Sequence, residues 1–334
     1  MVAEEGVQSI SGVTFAYLLV EERLRLVERE IERACHSEVA LVRRNAEYLH
    51  RSGGKRLRPA MVLLCAQACG YEGEADIQLG AAIEFVHTAT LVHDDIVDDA
   101  KVRRGQASAN QVWGNSLAVL LGDYIYIRSM AMSVALGNLR LVEVLTEAAS
   151  RLLEGEILDV ASSGDSAQSE ESYLRTIDRK TGALFAACGQ CSAIVAGASP
   201  EHEQGLAGYG SNLGMAFQLV DDLLDYCADP DRLGKQTGAD LREGKMTLPA
   251  IYLLREGTEA QRGHLLQCLG NPDFTDDDLR AVVAAMKDCG AIDASRSVAA
   301  EYAARACESL DVLPDSQAKE ALSGLPAFVL SRQM

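Results

Sequence analysis

Residues 84–98 read EFVHTATLVHDDIVD, an apolar run with helical spacing that ends in a DDxxD cluster. A second such cluster, DDLLD at residues 221–225, ends another apolar run. The first and fifth positions of each cluster share one face of an α-helix, so Asp94 and Asp98 project together. Two facing helices would direct carboxylates into a shared gap. Because bunched carboxylates repel one another, we expect a cation there, and Mg²⁺ prefers such oxygen ligands.

The rest of the sequence is typical of an all-α protein. Of 334 residues, 48% are hydrophobic, and Ala, Leu, Glu and Arg are abundant while alternating β-branched patterns are scarce. No linker-like stretch divides the chain, so we predict one all-α domain over residues 13–334, preceded by a flexible N-terminus at residues 1–12.

Charge and cysteine usage limit the function classes. The net charge of -18 argues against nucleic-acid binding. No apolar run of membrane-spanning length and no signal-like start is evident. The nine cysteines are scattered through helical runs, which is typical of a reducing compartment, and Cys188 and Cys191 lie in an Ala-rich helix without a second pair. We therefore expect a cytoplasmic protein.

The apolar spacing and the glycine and proline positions predict the element boundaries. We expect a helix at residues 14–34 and a second that follows it and ends at residue 50. Further helices are expected at 60–68, 74–102, 116–136, 140–161, 169–197 and 201–228. A polar loop should occupy 229–244, and three or four helices should lie within 248–330.

Cations accompany the acidic clusters. GGKRLRP at residues 53–59 places three of them just before a buried helix, where free N–H groups and the helix dipole also favour an anion. An ordinary solvent-facing turn is the alternative. Further cations are Lys180, Lys235 and Lys245. A solvated helix end would account for one acidic cluster, but two clusters interleaved with cations indicate a substrate that carries a diphosphate.

No competing catalytic pattern is present. The sequence has no Ser-His-Asp or Cys-His arrangement, no Walker loop and no GxGxxG. His87 and His93 beside Asp94 suggest a His-carboxylate metal site, as in helical di-iron proteins, and that alternative stays open here.

Four strings now point to one family: residues 53–59, residues 84–95, KTG at 180–182, and GK at 234–235 with GKMTLP at 244–249. Together they resemble the trans-isoprenyl diphosphate synthases over residues 39–254, most closely the long-chain octaprenyl and heptaprenyl enzymes. The resemblance implies an all-α isoprenoid-synthase barrel around a central cavity, a homodimer, and three Mg²⁺ ions with the allylic substrate bound. It also implies a transferase that condenses isopentenyl diphosphate head-to-tail with farnesyl or geranylgeranyl diphosphate.

The same resemblance assigns roles by matching positions. Catalytic residues would be Asp94, Asp95, Asp98, Arg103, Lys180, Asp221, Asp222 and Lys235. Metal ligands would be Asp94, Asp98 and Asp221, with Asp95, Asp222 and Asp225 in the same shell or holding its waters. The allylic diphosphate would contact Arg103, Lys180, Lys235 and Lys245, with Thr181 and Gln218 lining the cavity. Isopentenyl diphosphate would contact Lys55, Arg58, His87 and Arg104.

Product length depends on the wall upstream of the first cluster. In this family a bulky aromatic one turn before the motif stops growth early, whereas Ala89 and Thr90 are small. We therefore predict a long-chain polyprenyl diphosphate for a quinone side chain, with membrane contact during product release. Phe85, or Met130 and Met132, would be the floor, although plain core packing also explains them. The alternatives are a short-chain farnesyl or geranylgeranyl synthase, a non-catalytic partner subunit, and a terpene cyclase.

Overall fold

The computed structural model describes residues 12–51, 53–103, 105–227 and 237–332. Within these residues the protein is helical apart from one hairpin of two-residue strands. The helices are α1 Gly12–Ala34, α2 Ala40–Arg51, α3 Leu57–Ala68, α4 Ala75–Val97, α5 Ala109–Trp113, α6 Asn115–Ala135, α7 Leu139–Ser162, α8 Glu170–Ile177, a π-helix at Asp178–Gly182, α9 Ala183–Val195, α10 Pro200–Cys227, α11 Ala239–Arg242, α12 Leu248–Glu256, α13 Glu259–Cys268, α14 Asp276–Asp288, α15 Ala291–Glu308 and α16 Gln317–Ser331.

The core is built around α3, which is buried on nearly every side between α1, α4, α9 and α16. Its sequence, LRPAMVLLCAQA, is apolar all round, as expected for a helix without a solvent face. One contiguous apolar core includes residues from α1 through α16. A second, small apolar cluster of Val92, Ala109 and Ala118 lies where α4, α5 and α6 meet.

The two helices that carry the acidic clusters lie in this core. α4 packs along α6, and α10 packs along α9 and α15. The approach of α10 to α9 requires glycine, because a Cβ at Gly210 would lie 2.1 Å from the Phe185 carbonyl oxygen. This close packing fixes the height at which α10 presents its acidic end.

The first acidic helix ends earlier than predicted. We expected it to continue to Val102, but α4 stops at Val97 and Asp98 caps it. Asp99 adopts a left-handed conformation with φ 47°, and the chain then forms the hairpin of β1 (Val102–Arg103) and β2 (Gln106–Ala107). The apolar pattern alone could not reveal this turn. The turn brings Arg103 back toward the acidic cluster.

The predicted helix over residues 169–197 is interrupted by the π-helix at Asp178–Gly182. Arg151 of α7 anchors this segment, with its Nη2 donating to Asp178 Oδ2 at 2.7 Å. α7 approaches so closely that a Cβ at Gly155 would lie 2.4 Å from the Lys180 backbone nitrogen. π-helical turns often occur at functional sites, and this one carries Lys180 and Thr181.

Candidate active site

The first acidic cluster has an inward carboxylate, Asp95, and two outward carboxylates, Asp94 and Asp98. Asp95 is buried, and its carboxylate accepts hydrogen bonds from Arg103 Nε at 2.7 Å and Nη2 at 2.6 Å. Asn110 Nδ2 donates to the Asp95 carbonyl oxygen at 3.0 Å. Asp95 therefore fixes the hairpin to the end of α4.

Asp94 and Asp98 face a group of charged side chains instead. Burial, and to a smaller extent the neighbouring carboxylates of Glu156 and Asp98, raise the pKa of Asp94 to about 7, against opposing effects of Lys180 and Arg103. Such a shift shows that negative charge at this position is under-compensated by the protein's own cations.

The second cluster uses two of its three carboxylates to hold the protein together. The Tyr173 hydroxyl donates to Asp222 Oδ2 at 2.5 Å, and Gln218 Nε2 donates to Oδ1 at 2.7 Å. Asp225 accepts from the backbone N–H groups of Ala239 and Asp240, each at 3.1 Å. Asp225 thus ties the end of α10 to the start of α11.

Asp221 is the exposed member of the second cluster, with 52% of its side chain accessible. Arg332, just after α16, donates from Nη2 to Asp221 Oδ1 at 3.2 Å and lies over the Phe217 ring at 4.8 Å. The last described residue of the chain therefore reaches the second acidic cluster.

Lys180 lies between two carboxylates of α7. Its Nζ is 2.8 Å from Glu156 Oε2 and 2.8 Å from Asp159 Oδ2. Burial alone would lower the pKa of Lys180, but Asp159 and Glu156 more than offset it, so the pKa is raised. Lys180 is therefore a permanent cation next to Asp94.

Lys245 links the two clusters. Its Nζ is 3.6 Å from Asp98 of the first cluster and 2.6 Å from Glu243. Its backbone N–H donates to the Asp240 carbonyl oxygen at 2.8 Å. The backbone N–H of Asp240 in turn donates to the carboxylate of Asp225 in the second cluster. The outward carboxylates and the lysines therefore belong to one electrostatic group.

The basic turn at residues 53–59 divides its three cations. Lys55 Nζ lies 5.6 Å from the Phe328 ring centre, and the Arg58 guanidinium lies 4.5 Å from that of Phe185. Arg56 points elsewhere and pairs with carboxylates of α1 and α4. We expected all three cations to face one anion, but at most two of them, Lys55 and Arg58, can do so.

The remaining predicted residues are distributed as follows. Thr181 Oγ1 donates to Gln218 Oε1 at 2.7 Å, which connects the π-helix to α10. His87 is half-buried on α4, where its carbonyl accepts from Thr90 Oγ1 at 2.9 Å. Arg104 and Lys235 lie outside the described residues, so their roles stay predictions.

The predicted length-determining residues line the inside of α4. Ala89 and Phe85 are buried. A crevice with about 440 Å³ of space, partly open to solvent, runs from Asp95 and Arg103 to Thr88. A second, of about 270 Å³, continues from Thr88 to Phe85. The two crevices therefore run beside α4 along Asp95, Thr88 and Phe85, and their linings do not include Ala89.

Comparison with known proteins decides the family. The polyprenyl synthetase family model matches residues 39–286. This chain belongs to the polyprenyl synthetase family. It is 46% identical to the octaprenyl diphosphate synthase of Escherichia coli K12, over 89% of this chain and 92% of that protein. It is 37% identical to the geranyl-diphosphate-specific all-trans-nonaprenyl-diphosphate synthase of Rhodobacter capsulatus, over 94% of this chain and 96% of that one.

A solved structure agrees with the fold. The polyprenyl synthase of Caulobacter crescentus CB15, complexed with calcium and isoprenyl diphosphate, superposes with a TM-score of 0.92 at 37% identity, covering 97% of this chain and 99% of that one. The predicted family, all-α isoprenoid-synthase fold and transferase class are thereby confirmed.

The residues of this polyprenyl synthetase suit a divalent metal that the substrate helps to hold. Within the described ranges, no three acidic, His or Cys side chains come together closely enough to bind an ion by themselves. Asp94 nevertheless has a raised pKa, Asp98 lies 3.6 Å from Lys245, and Asp221 lies 3.2 Å from Arg332 and near Lys55. Mg²⁺ characteristically shares its shell between a few carboxylates and substrate phosphates, so this donor set fits it.

Sequence reasoning missed four residues of this site. Glu156 and Asp159 hold Lys180, Tyr173 holds Asp222, and Arg332 contacts Asp221. The spacing of Glu156 and Asp159, three apart on one helix face, is the signal that could have identified the pair. Tyr173 and Arg332 gave no local signal, because only the packing of α8 and α16 brings them to α10.

Proposed function

We propose that this chain adds isopentenyl diphosphate head-to-tail to an allylic diphosphate and makes a long-chain trans-polyprenyl diphosphate. The observation that carries the proposal is the charge arrangement at the two helix ends: Asp94 lies near Lys180, Asp98 lies 3.6 Å from Lys245, and the exposed Asp221 lies 3.2 Å from Arg332. Family membership and the octaprenyl and nonaprenyl synthases among its relatives support the transferase class and the long product.

The described cations would bind the allylic diphosphate and neutralise charge as it leaves. Lys180 and Lys245 are already held as cations by carboxylates, so they need no reorganisation when charge develops. Mg²⁺, bound by Asp94, Asp98 and Asp221 together with the substrate, would supply Lewis-acid stabilisation of the leaving diphosphate. Three ions are the number we propose with the allylic substrate bound.

The second substrate would bind at the basic turn. Lys55, Arg58 and His87 would hold the diphosphate of isopentenyl diphosphate so that its alkene attacks the allylic cation. Loss of a proton then restores a double bond, and the departed diphosphate would accept that proton. The apolar residues Phe185 and Phe217, whose ring centres lie 5.7 Å apart, would help to keep water from the cation.

The tail would grow along α4. Ala89, one turn before Asp94, has a small side chain, and the crevices beside Thr88 and Phe85 support growth in that direction. We infer a floor at Phe85 or at Met132, which is buried on the adjacent α6. Such a product suits a quinone side chain.

Incubation of the purified protein with Mg²⁺, isopentenyl diphosphate and either farnesyl or geranylgeranyl diphosphate tests the proposal. We expect polyprenyl products longer than geranylgeranyl, identified by mass after dephosphorylation. Products that stop at farnesyl or geranylgeranyl from a geranyl primer would establish the short-chain alternative. No product without an added partner protein would favour the non-catalytic subunit.

We further propose that the protein works as a homodimer through α6. Leu120, Ile127 and Val134 repeat every seven residues and are exposed by 64%, 63% and 62%. Of the described helices, only α6 is long and apolar enough to cross a membrane, but it packs against α4, and a buried subunit interface accounts equally for its apolar outer face. An Ile127→Asp variant should be monomeric in light scattering.

We place the enzyme in the cytoplasm, with membrane contact only during product release. Its nine cysteines are free, and five of them are buried. Fractionation of cells should recover the protein in the soluble fraction, whereas tight association with membranes would contradict this placement.

A further inference from the structure

Arg56, in the basic turn, is paired with carboxylates of the protein itself. A substrate could contact its guanidinium only if those ion pairs were broken. Its guanidinium Nε is 2.6 Å from Glu28 Oε1 of α1, and Nη1 is 2.9 Å from Glu84 Oε1 of α4. Nη2 also donates to the His50 carbonyl oxygen of α2 at 3.3 Å. One side chain therefore connects three helices.

This group is largely shielded from water. The side chain of Arg56 is 14% exposed, that of Glu84 5% and that of His50 14%. His50 Nε2 also lies 3.1 Å from Glu28 Oε2, which closes the group. If Arg56 turned outward to a substrate, it would leave the buried Glu84 without this cation, and it would leave Glu28, which is 36% exposed, with only His50 of this group.

The backbone at Arg56 shows that its direction is imposed. Arg56 has φ 49° and ψ 36°, the left-handed conformation, and it caps the N-terminus of α3. For a residue with a side chain this conformation costs about 1–3 kcal/mol, so surrounding contacts must hold it. The flanking cations contact other elements: Lys55 reaches α16 and Arg58 reaches α9.

The Arg56–Glu84 ion pair also fixes α4, the helix that carries His87, the third residue predicted to bind isopentenyl diphosphate. Glu84 lies on α4 one turn before His87, and the Glu84 carbonyl oxygen accepts from Thr88 Oγ1 at 2.8 Å. Arg56 therefore sets the distance between the basic turn and the part of α4 that presents His87.

We propose that Arg56 is a positioning residue for the isopentenyl diphosphate site: it does not touch the substrate, but its ion pairs with Glu28 and Glu84 hold Lys55, Arg58 and His87 in the binding arrangement. This inference rests on the proposed function, which places isopentenyl diphosphate at this turn.

The test compares Arg56→Met with Arg23→Met. Arg23 is a matched control because it also joins α1 to α4, through a buried ion pair with Asp76, but lies away from the turn. We expect Arg56→Met to raise the KM for isopentenyl diphosphate by about tenfold or more, since small misplacements of positioning groups have large effects. The KM for the allylic substrate should change by less than about threefold in both variants.

A conservative variant separates positioning from direct binding. Arg56→Lys keeps the positive charge but cannot pair with Glu28, Glu84 and His50 through one planar fork. If Arg56 acts by anchoring, Arg56→Lys should raise the KM for isopentenyl diphosphate nearly as much as Arg56→Met. A wild-type KM in Arg56→Lys would overturn the proposal.

Calorimetric titration with isopentenyl diphosphate separates this inference from the proposed function. If wild type binds the ligand and Arg56→Met binds it about tenfold more weakly, the anchor is supported even without turnover. Equal affinity in both, or an equal loss in Arg23→Met, would contradict it. Should Arg56→Met not fold, Glu84→Gln, which keeps the volume but removes one charge, must show the selective loss. Absence of turnover in a wild type that binds the ligand would refute the proposed function alone.

Discussion

The two acidic clusters share one sequence pattern but do different work. In the first, Asp98 lies near Lys245 and Asp94 near Lys180, whereas Asp95 is held by hydrogen bonds from Arg103. In the second, Asp222 and Asp225 are both held by hydrogen bonds, and only Asp221 is exposed. A DDxxD pattern therefore marks a helix end that faces the site without saying which carboxylates reach it.

The difference follows from where each helix ends. α4 ends inside its cluster, at Val97, where Asp98 caps the helix and lies 3.6 Å from Lys245. α10 continues to Cys227, and Asp225 therefore stays on the helix, where it accepts two backbone N–H groups of α11. The third carboxylate thus meets a lysine in the first cluster and backbone N–H groups in the second.

Replacing Asp94, which faces the lysines, and Asp225, which the protein holds, tests whether the two clusters differ in function. We expect Asp94→Asn to lower kcat by about a hundredfold to a thousandfold, because the site loses charge that stabilises the metal and the leaving diphosphate. Asp225→Asn keeps an acceptor for only one of the two N–H groups of α11, but this carboxylate is held by the protein, so the loss of kcat should stay below about tenfold. Steady-state kinetics with saturating Mg²⁺ measures both.

A control for this pair is Asp99→Asn. Asp99 is exposed, and Asn tolerates its left-handed backbone, so kcat should not change. Because burial raises the pKa of Asp94, the Asp94→Asn protein should be at least as stable as wild type without metal. An equal loss of kcat in Asp94→Asn and Asp225→Asn would show that the two clusters act alike.

Much of this arrangement could be predicted from the sequence because it depends on local periodicity. Helical spacing gave the all-α class, and α10 begins and ends within one residue of its predicted bounds. The end of α4 could not be predicted, since Val97 and Val102 continue its apolar pattern, and the chain is bent back by local hydrogen bonds of the Ala100 N–H and the Arg103 side chain to Asp95, which that pattern does not encode. The inward direction of Arg56 was equally hidden, because the partners Glu28 and Glu84 lie 28 residues away on either side.

The walls before the two clusters offer a second way to sharpen the comparison. Ala89 and Ala216 each stand five residues before the first Asp of a cluster, and both are buried. If the tail grows along α4, Ala89→Tyr should shorten the product toward farnesyl or geranylgeranyl diphosphate. Ala216→Tyr crowds the core equally. It should lower stability and total yield without shortening the product, as measured by product mass and thermal denaturation. An unchanged product from a folded Ala89→Tyr enzyme would remove Ala89 from the tunnel wall.

The smallest expected effect concerns the support of the second cluster. Tyr173→Phe removes the hydroxyl that donates to Asp222, a buried carboxylate whose pKa burial raises to about 7. The variant should lose about 1–3 kcal/mol of unfolding free energy in urea titrations, because a buried acceptor loses its partner. Tyr252→Phe is the matched control: its hydroxyl donates to Glu170 at 2.8 Å, but Glu170 is 35% exposed and keeps Arg255. Its loss should stay within about 1 kcal/mol. If Tyr173→Phe were as mild as Tyr252→Phe, Asp222 would not depend on that bond, and the second cluster would resemble the first more closely than its contacts indicate.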